Sequence, residues 1–203
     1  MGKVENNKKQ KHDSLLDTAF ALFTSKGVSK TSISDIVNRA GVAKGTFYLY
    51  FKDKFDIRNK LISHKSSQLF LKAAEQLDSS NLTNITFEDE VIFIIDKIID
   101  QLNENKSLLN FISKNLSWGI FKTALTSPSS DKDINFEDVY FQLLEESPVK
   151  FNQPELMLYM IIELVSSTCY SSILYNEPVT ISELKPRLYS VVRCIINEHI
   201  IKE

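Results

Sequence analysis

Apolar residues recur every three to four positions along nearly all of this chain, the spacing of helices that bury one stripe. Leu15, Leu16, Ala19, Phe20, Leu22 and Phe23 open the pattern and predict a first helix over about 10–26. Gly27 follows the last periodic position, where a residue without a Cβ can take the left-handed conformation that ends helices. Ser32 lies three residues before Asp35, a capping-box start for a second helix, Ile33–Ala40, whose Ile33, Ile36, Val37 and Ala40 share a face. Gly41 ends it, Val42 anchors the turn, and a third, short helix is expected from about Lys44 to Tyr50. A fourth is expected from near Asp53 to about Leu77, with Phe55, Ile57, Leu61 and Ile62 packing back on the first three.

Residues 78–90 are polar and read as a loop. Val91–Leu102 predicts a strongly apolar helix, and Leu108–Leu125 a pair of helices bending near Gly119. A loop at 126–133 and a short helix at Phe136–Leu144 precede two long helices. Pro154 stands where a first helical turn tolerates proline and opens a helix to about Tyr175; Pro186 lies early in the final helix, about 184–201. The sum is an all-α chain of about nine helices.

The last two helices are apolar on more than one face. Leu156, Met157, Met160, Ile161, Leu164, Val165 and Ile173 line one, and Leu184, Leu188, Val191, Val192, Ile195, Ile196 and Ile200 line the other. One face can bury against the rest of the chain. The surplus is expected to bury against a second copy, giving a homodimer through about 154–175 and 184–201.

Composition supports this picture. Hydrophobic residues make up 43% of the 203, enough for a core, while Gly and Pro number only five each, too few for turn-rich sheets. No run of about 20 apolar residues occurs, so no membrane span is expected. Residues 1–13 lack the apolar stretch of a secretory signal, and Gly2 lacks the Ser or Thr of a myristoylation site; the chain reads as cytoplasmic. Cys169 and Cys194 lie 25 residues apart and form no CxxC motif. Both are expected as buried, reduced thiols, a redox role being the alternative.

Charge divides the chain. Residues 1–60 hold 12 Lys and Arg against 6 Asp and Glu, a balance of +6; the remainder holds 12 against 20, a balance of −8. A basic head on an acidic body suits a polyanion-binding module carried by a body that binds something else.

The segment from Ser32 to Phe51 gives the head its chemistry. Two helices joined by a tight turn at a glycine form a helix-turn-helix. Gly41 permits the reversal, Ala40 allows close approach, and Val42 fills the angle between the helices. Phe47 and Phe51, four apart, face inward and hold the third helix. Lys44, Thr46, Tyr48 and Tyr50 are left on its outer face, a set suited to a major groove, where side chains reach base edges and flanking phosphates. Gly45 lets backbone approach a duplex. Lys52 and Lys54 at the start of the fourth helix are candidates for phosphate, as are that helix's first amides. Lys3, Lys8, Lys9 and Lys11 precede the first periodic position and read as an arm adding phosphate attraction, or as a tail without a role.

The stretches Thr31-Ser32-Ile33-Ser34-Asp35-Ile36, Ala40-Gly41-Val42, Gly45-Thr46-Phe47-Tyr48 and Tyr50-Phe51-Lys52-Asp53-Lys54 closely resemble the DNA-binding signature of the TetR family of transcriptional regulators, over about Leu15 to Leu61. The resemblance implies a three-helix N-terminal DNA-binding domain (1–54, motif about 32–51) and a C-terminal helical ligand-binding and dimerisation bundle (55–203). It further implies a regulator, in the usual case a repressor, released from a palindromic double-stranded operator by a small-molecule effector. The alternative is control by a protein partner. Carried over by position, Thr46, Tyr48 and Tyr50 correspond to base and phosphate contacts, Lys54 to a phosphate clamp, and Ser32 to a cap that also reaches phosphate. Ser34 stands where some members place a base-reading Arg. Lys44 becomes the best candidate for base reading, and Leu49 offers an apolar contact to a thymine methyl.

Phe93, Phe111, Trp118, Phe121, Tyr140 and Tyr159 are candidates to line an effector pocket, against the plainer reading that each is core; they suggest an apolar or aromatic effector of unknown identity. No cofactor is expected. His12, His64 and His199 have no metal-ligand spacing, and no nucleophile elbow, P-loop or dinucleotide-binding glycine motif occurs, so no catalysis is expected.

Overall fold

A computed structural model of the chain describes residues 3–80, 85–113 and 136–201. Among these the architecture is all-α, with nine helices: α1 (Lys3–Lys26), α2 (Ile33–Ala40), α3 (Lys44–Tyr50), α4 (Lys54–Asp78), α5 (Phe87–Glu104), α6 (Lys106–Ser113), α7 (Phe136–Glu146), α8 (Pro154–Tyr175) and α9 (Ile181–His199). The chain divides into two compact units, Met1–Lys65 and Ser66–Glu203.

The first unit follows its apolar stripe. Leu15, Ala19 and Phe23 of α1, Ile36 and Val37 of α2, Phe47 of α3, and Ile57, Leu61 and Ile62 of α4 are all buried. Each Val, Leu, Ile or Phe among them contributes roughly 1.5–3 kcal/mol on removal from water. Two departures from the sequence reading stand out. First, α1 starts at Lys3, well before its apolar period, because residues 6–11 contain no Gly or Pro to stop a helix. Second, Phe55 does not pack inward: it is half exposed, with the Lys54 ammonium and the Arg58 guanidinium 5.5 and 5.3 Å from its ring centre.

In the second unit α5, α6, α8 and α9 share one core through Phe87, Ile99, Leu109, Met157, Val192 and Ile196. A second cluster joins Phe70 and Ala73 of α4, Ile94 of α5, Tyr140 of α7 and Leu158 of α8. Polar side chains brace α5 to α9. Lys185 Nζ lies 2.7 Å from Asp96 Oδ1 and 2.5 Å from Asp100 Oδ1, Tyr189 Oη donates to Asp96 at 2.5 Å, and Arg193 pairs with Asp89 at 2.7 Å. The C-terminal end of α9 is strapped to the segment before α8: Asn152 N donates to His199 O at 2.7 Å, and Ile201 N donates to Lys150 O at 2.9 Å.

Two helices begin earlier than their apolar periods suggest. Thr86 caps α5 with Asp89 returning the bond, and Thr180 caps α9 with Glu183. Each box satisfies amides that would otherwise lack partners, so Phe87 is helical and buried although residues 78–90 read as loop. Cysteine placement also differs from expectation: Cys169 is buried, its thiol pushed up to about 11 chiefly by that burial. Cys194 is exposed, because it falls on the outer side of α9. By length and composition α8 is apolar enough to cross a membrane, although Met157, Leu158, Ile161, Cys169 and Ile173 lie in the core. The exposed apolar side chains of the last two helices are Leu156, Tyr159, Met160, Tyr175 and Val191; Val192, Leu188 and Ile196 are internal. Of the helix pair expected over 108–125, the first part is α6, and the remainder, with the bend near Gly119, lies outside the described residues.

Candidate nucleic-acid interface

Local hydrogen bonds place α2 and α3. Gly27 closes α1 with φ of +84°. The turn that follows folds under Thr31, whose buried hydroxyl donates to Gly27 O at 2.8 Å. Lys54 clamps this turn from α4: its ammonium donates to the carbonyls of Val28, Ser29 and Thr31 at 3.1, 3.2 and 3.2 Å. An ammonium has three N–H donors, and here each has a carbonyl.

Ser32 then caps α2. Asp35 N donates to Ser32 Oγ at 3.1 Å, and Ser32 N donates to Asp35 Oδ2 at 2.9 Å. The Ser32 amide, followed by Lys26 at 3.1 Å, holds the Asp35 carboxyl down at about 2. Gly41, with φ of +69°, ends α2, and Val42 N reaches back to Val37 O at 3.0 Å. This left-handed step is where a Cβ-free residue is needed.

The third helix is seven residues long and rests on two aromatic side chains, Phe47 and Phe51, both buried. Lys60 of α4 closes its far end by donating to Tyr50 O at 2.9 Å, with its ammonium 5.1 Å from the Phe51 ring centre. A cation on the last carbonyls of a helix is favourable. At the near end Ala43 contributes no side-chain cap.

The outer face of α3 carries most of the residues singled out in the sequence. Lys44 and Gly45 are exposed, Thr46 is half-buried, Tyr48 is 53% exposed and Leu49 79% exposed. A Cβ added at Gly45 would meet nothing within 4 Å, so its lack of a side chain answers no need inside the protein. Ser34 is exposed on α2.

Three other candidates are already engaged. Ser32 is exposed, but its hydroxyl serves the cap. Tyr50 is half-buried and donates through Oη to Lys8 O at 3.1 Å. Lys54 serves the α1–α2 turn. The start of α4 is likewise filled: Asp53 Oδ1 accepts from Phe55 N at 2.7 Å and Asp56 N at 2.8 Å, so those amides already hold a carboxylate in the place of a phosphate. The sequence reading missed Lys60, ten residues beyond the carbonyl it caps, and His12, whose ring lies 5.4 Å from Phe51 and 5.5 Å from Tyr50. Neither spacing belongs to a local motif that could have revealed it.

The proposed pocket residues scatter more. Phe111 is buried; Phe93 is half-buried beneath the Lys97 ammonium, 5.3 Å from its centre. Tyr140 is buried, donates to Pro154 O at 2.8 Å, and has its phenol pushed far up by burial. Tyr159 is exposed on α8. Trp118 and Phe121 lie outside the described residues.

A capped helix, a left-handed glycine and a short helix propped on two phenylalanines define a helix-turn-helix module ahead of a helical body. Residues 15–61 match the sequence profile of the bacterial regulatory proteins of the tetR family. It is 34% identical over 91 residues to the uncharacterized HTH-type transcriptional regulator YvdT of Bacillus subtilis, a match covering 45% of this chain and 43% of that one. It is 31% identical over 90 residues to the fatty acid metabolism regulator protein of the same organism, covering 44% of each. The matches thus span less than half the length of these curated relatives. In fold it is similar to the transcriptional regulator FadR from Bacillus subtilis in complex with stearoyl-CoA, with a TM-score of 0.63 and 19% identity, covering 89% of this chain and 97% of that one. It is similar also to a TetR-family regulator from Syntrophomonas wolfei, with a TM-score of 0.64 and 21% identity, covering 94% and 96%.

Proposed function

We propose that this protein is a sequence-specific DNA-binding transcriptional regulator of the cytoplasm, a repressor that binds a palindromic operator as a homodimer and leaves it when a small-molecule effector binds the second unit. The observation that carries this reading is the outer face of α3. Tyr48 and Leu49 project into solvent from a helix whose inward-facing Phe47 is 0% exposed. Exposing an aromatic and a leucine beside Lys44 is unfavourable on a solvated surface and useful in a major groove, where an ammonium donates to guanine and apolar atoms meet thymine methyls.

Pairing of two heads comes from the last two helices, where Leu156, Met160 and Val191 remain exposed. Operator release requires that the effector bind the released state more tightly than the DNA-competent one. Stearoyl-CoA, bound by the FadR of like fold, is the first probe for an apolar effector here.

Replacing both Lys44 and Tyr48 by Ala tests the reader. Selection from a random duplex pool defines the operator, and a gel-shift titration then compares the two proteins. The double variant is expected to lose at least about tenfold to a hundredfold in operator affinity, since each base contact contributes about 1–3 kcal/mol, with an unchanged melting temperature. Equal affinity of the two proteins removes α3 as the reader.

A further inference from the structure

We infer that the first turns of α1 form a third DNA-contacting element, a basic helical rail that Tyr50 holds beside the duplex, with Lys8 and Lys11 donating to backbone phosphates. This rests on the DNA-binding reading above and adds to it an element outside the helix-turn-helix.

Residues 6–11 are helical although every one of them is exposed. A short polar helical end buries nothing to stabilise itself, so it depends on a tertiary anchor. That anchor is the C-terminal end of α3. Tyr50 Oη donates to Lys8 O at 3.1 Å, and one turn later the His12 ring stacks on Phe51 at 5.4 Å with an interplanar angle of 21°. The helix is thus fixed to the very element proposed to enter the groove.

The angular position of the lysines follows from the helix. At about 100° per residue, Lys11, Leu15, Lys8 and His12 fall within an arc of about 100°. Leu15 is buried and His12 lies on Tyr50 and Phe51. Lys8 and Lys11 therefore leave the helix on the side that meets α3. Asp13, the first carboxylate after these lysines, already pairs with His12 at 3.2 Å. Lys60, on Tyr50 O, adds a further cation at the same end of α3.

Phosphates line the walls of the groove and base edges its floor. Cations at the end of a recognition helix therefore meet the backbone and contribute affinity without sequence preference. The stretch from Asn6 to Asp13 carries no apolar side chain, which removes the buried face that a membrane-lying helix needs. The same geometry gives Tyr50 a different part from the base or phosphate contact suggested by resemblance: it is a positioning residue, acting through the Lys8 carbonyl.

The test is the salt dependence of binding to a random-sequence duplex, measured by fluorescence anisotropy between about 50 and 200 mM potassium chloride. The proteins are the full wild-type chain, a variant with Lys8 and Lys11 both changed to Gln, and Tyr50→Phe. Gln keeps the helix propensity of Lys, and circular dichroism checks the fold. Removing one lysine–phosphate pair flattens the log–log slope by about 0.9, so removing two per chain in a dimer flattens it by about 3–4. Tyr50→Phe is expected to flatten it in the same direction by less. Wild-type slope in the folded lysine variant overturns the rail and leaves the reader standing. No salt-dependent binding by the wild-type chain overturns the DNA-binding reading and the rail with it.

Discussion

The two units use one capping device to different ends. In the head, Ser32 and Asp35 cap α2, and the carboxylate is also held by Lys26, nine residues away. In the body, Thr86 and Asp89 cap α5 in the same way, but the second partner is Arg193, 104 residues away on α9. This contrast runs through both units. The head fixes its turns with bonds of shorter range than the body's, four residues from Thr31 to Gly27 and 26 from Lys54 to Val28. The body uses its charges over long range, binding Lys185 to Asp96 and Asp100 and Tyr189 to Asp96. Locally fixed turns give a rigid face to present. Long-range braces join helices whose apolar sides still leave Leu156, Met160 and Val191 exposed.

The largest expected effect separates inner from outer residues on α9. Val192 is fully buried and Val191 is 47% exposed. Val192→Asp places an unpaired charge in the core and is expected to cost about 3–5 kcal/mol, enough to unfold a marginally stable unit. Val191→Asp is expected to leave the monomer folded and weaken the dimer. Circular dichroism melts and sedimentation equilibrium read the two outcomes. A dimer that survives Val191→Asp places the interface elsewhere. The exposures make position 191, and not 192, the probe of association, although apolar periodicity alone treats the neighbours alike.

That pair shows what sequence supplies here and where it stops. Helix existence, the Gly41 turn and the inward pair Phe47 and Phe51 follow from local spacing, and each has its place in the structure. The start of α5 did not follow, although Thr86 and Asp89 carry the same three-residue spacing as Ser32 and Asp35; an acidic run through Glu90 masked it. The start of α1 was hidden for another reason: helix without an apolar period is invisible to periodicity. The outward set Lys44, Tyr48 and Leu49 was legible as one face of one helix. The engagement of Tyr50 with Lys8, and of Lys54 with three carbonyls, was not, because those partners lie 42 and 23 to 26 residues away.

Lys54 gives the next effect. Lys54→Met keeps the aliphatic stem and removes three charged donors from the α1–α2 turn. Hydrogen bonds to charged groups contribute about 1.5–3 kcal/mol each at most, and exposure of Ser29 O to water lowers the sum. A loss of about 2 kcal/mol in the head is expected, read as faster hydrogen exchange at Val28–Ser32, together with weaker DNA binding. Weaker binding with unchanged exchange assigns Lys54 to phosphate directly and breaks the division between presented and engaged residues.

The smallest effect tests the comparison at its origin. Both capping carboxylates titrate below the ordinary aspartate value, Asp35 at about 2 through the Ser32 amide and Lys26, and Asp89 through Arg193 and Thr86. A folded-state value below the unfolded one, about 3.9, means a contribution fully present above that unfolded value and lost as pH falls through the folded one. For Asp35 the window therefore runs from about 4 down to about 2. Asp35→Asn is expected to flatten the acid limb of stability and to raise hydrogen exchange within Met1–Lys65 only. Asp89→Asn is expected to raise exchange at the start of α5 and also along α9 near Arg193, because one carboxylate holds both. If α9 stays as protected in Asp89→Asn as in the wild type, the Arg193 pair is an exposed contact of no consequence, and the bonds of Lys185 and Tyr189 to Asp96 and Asp100, with apolar packing, hold α9 to α5 without it.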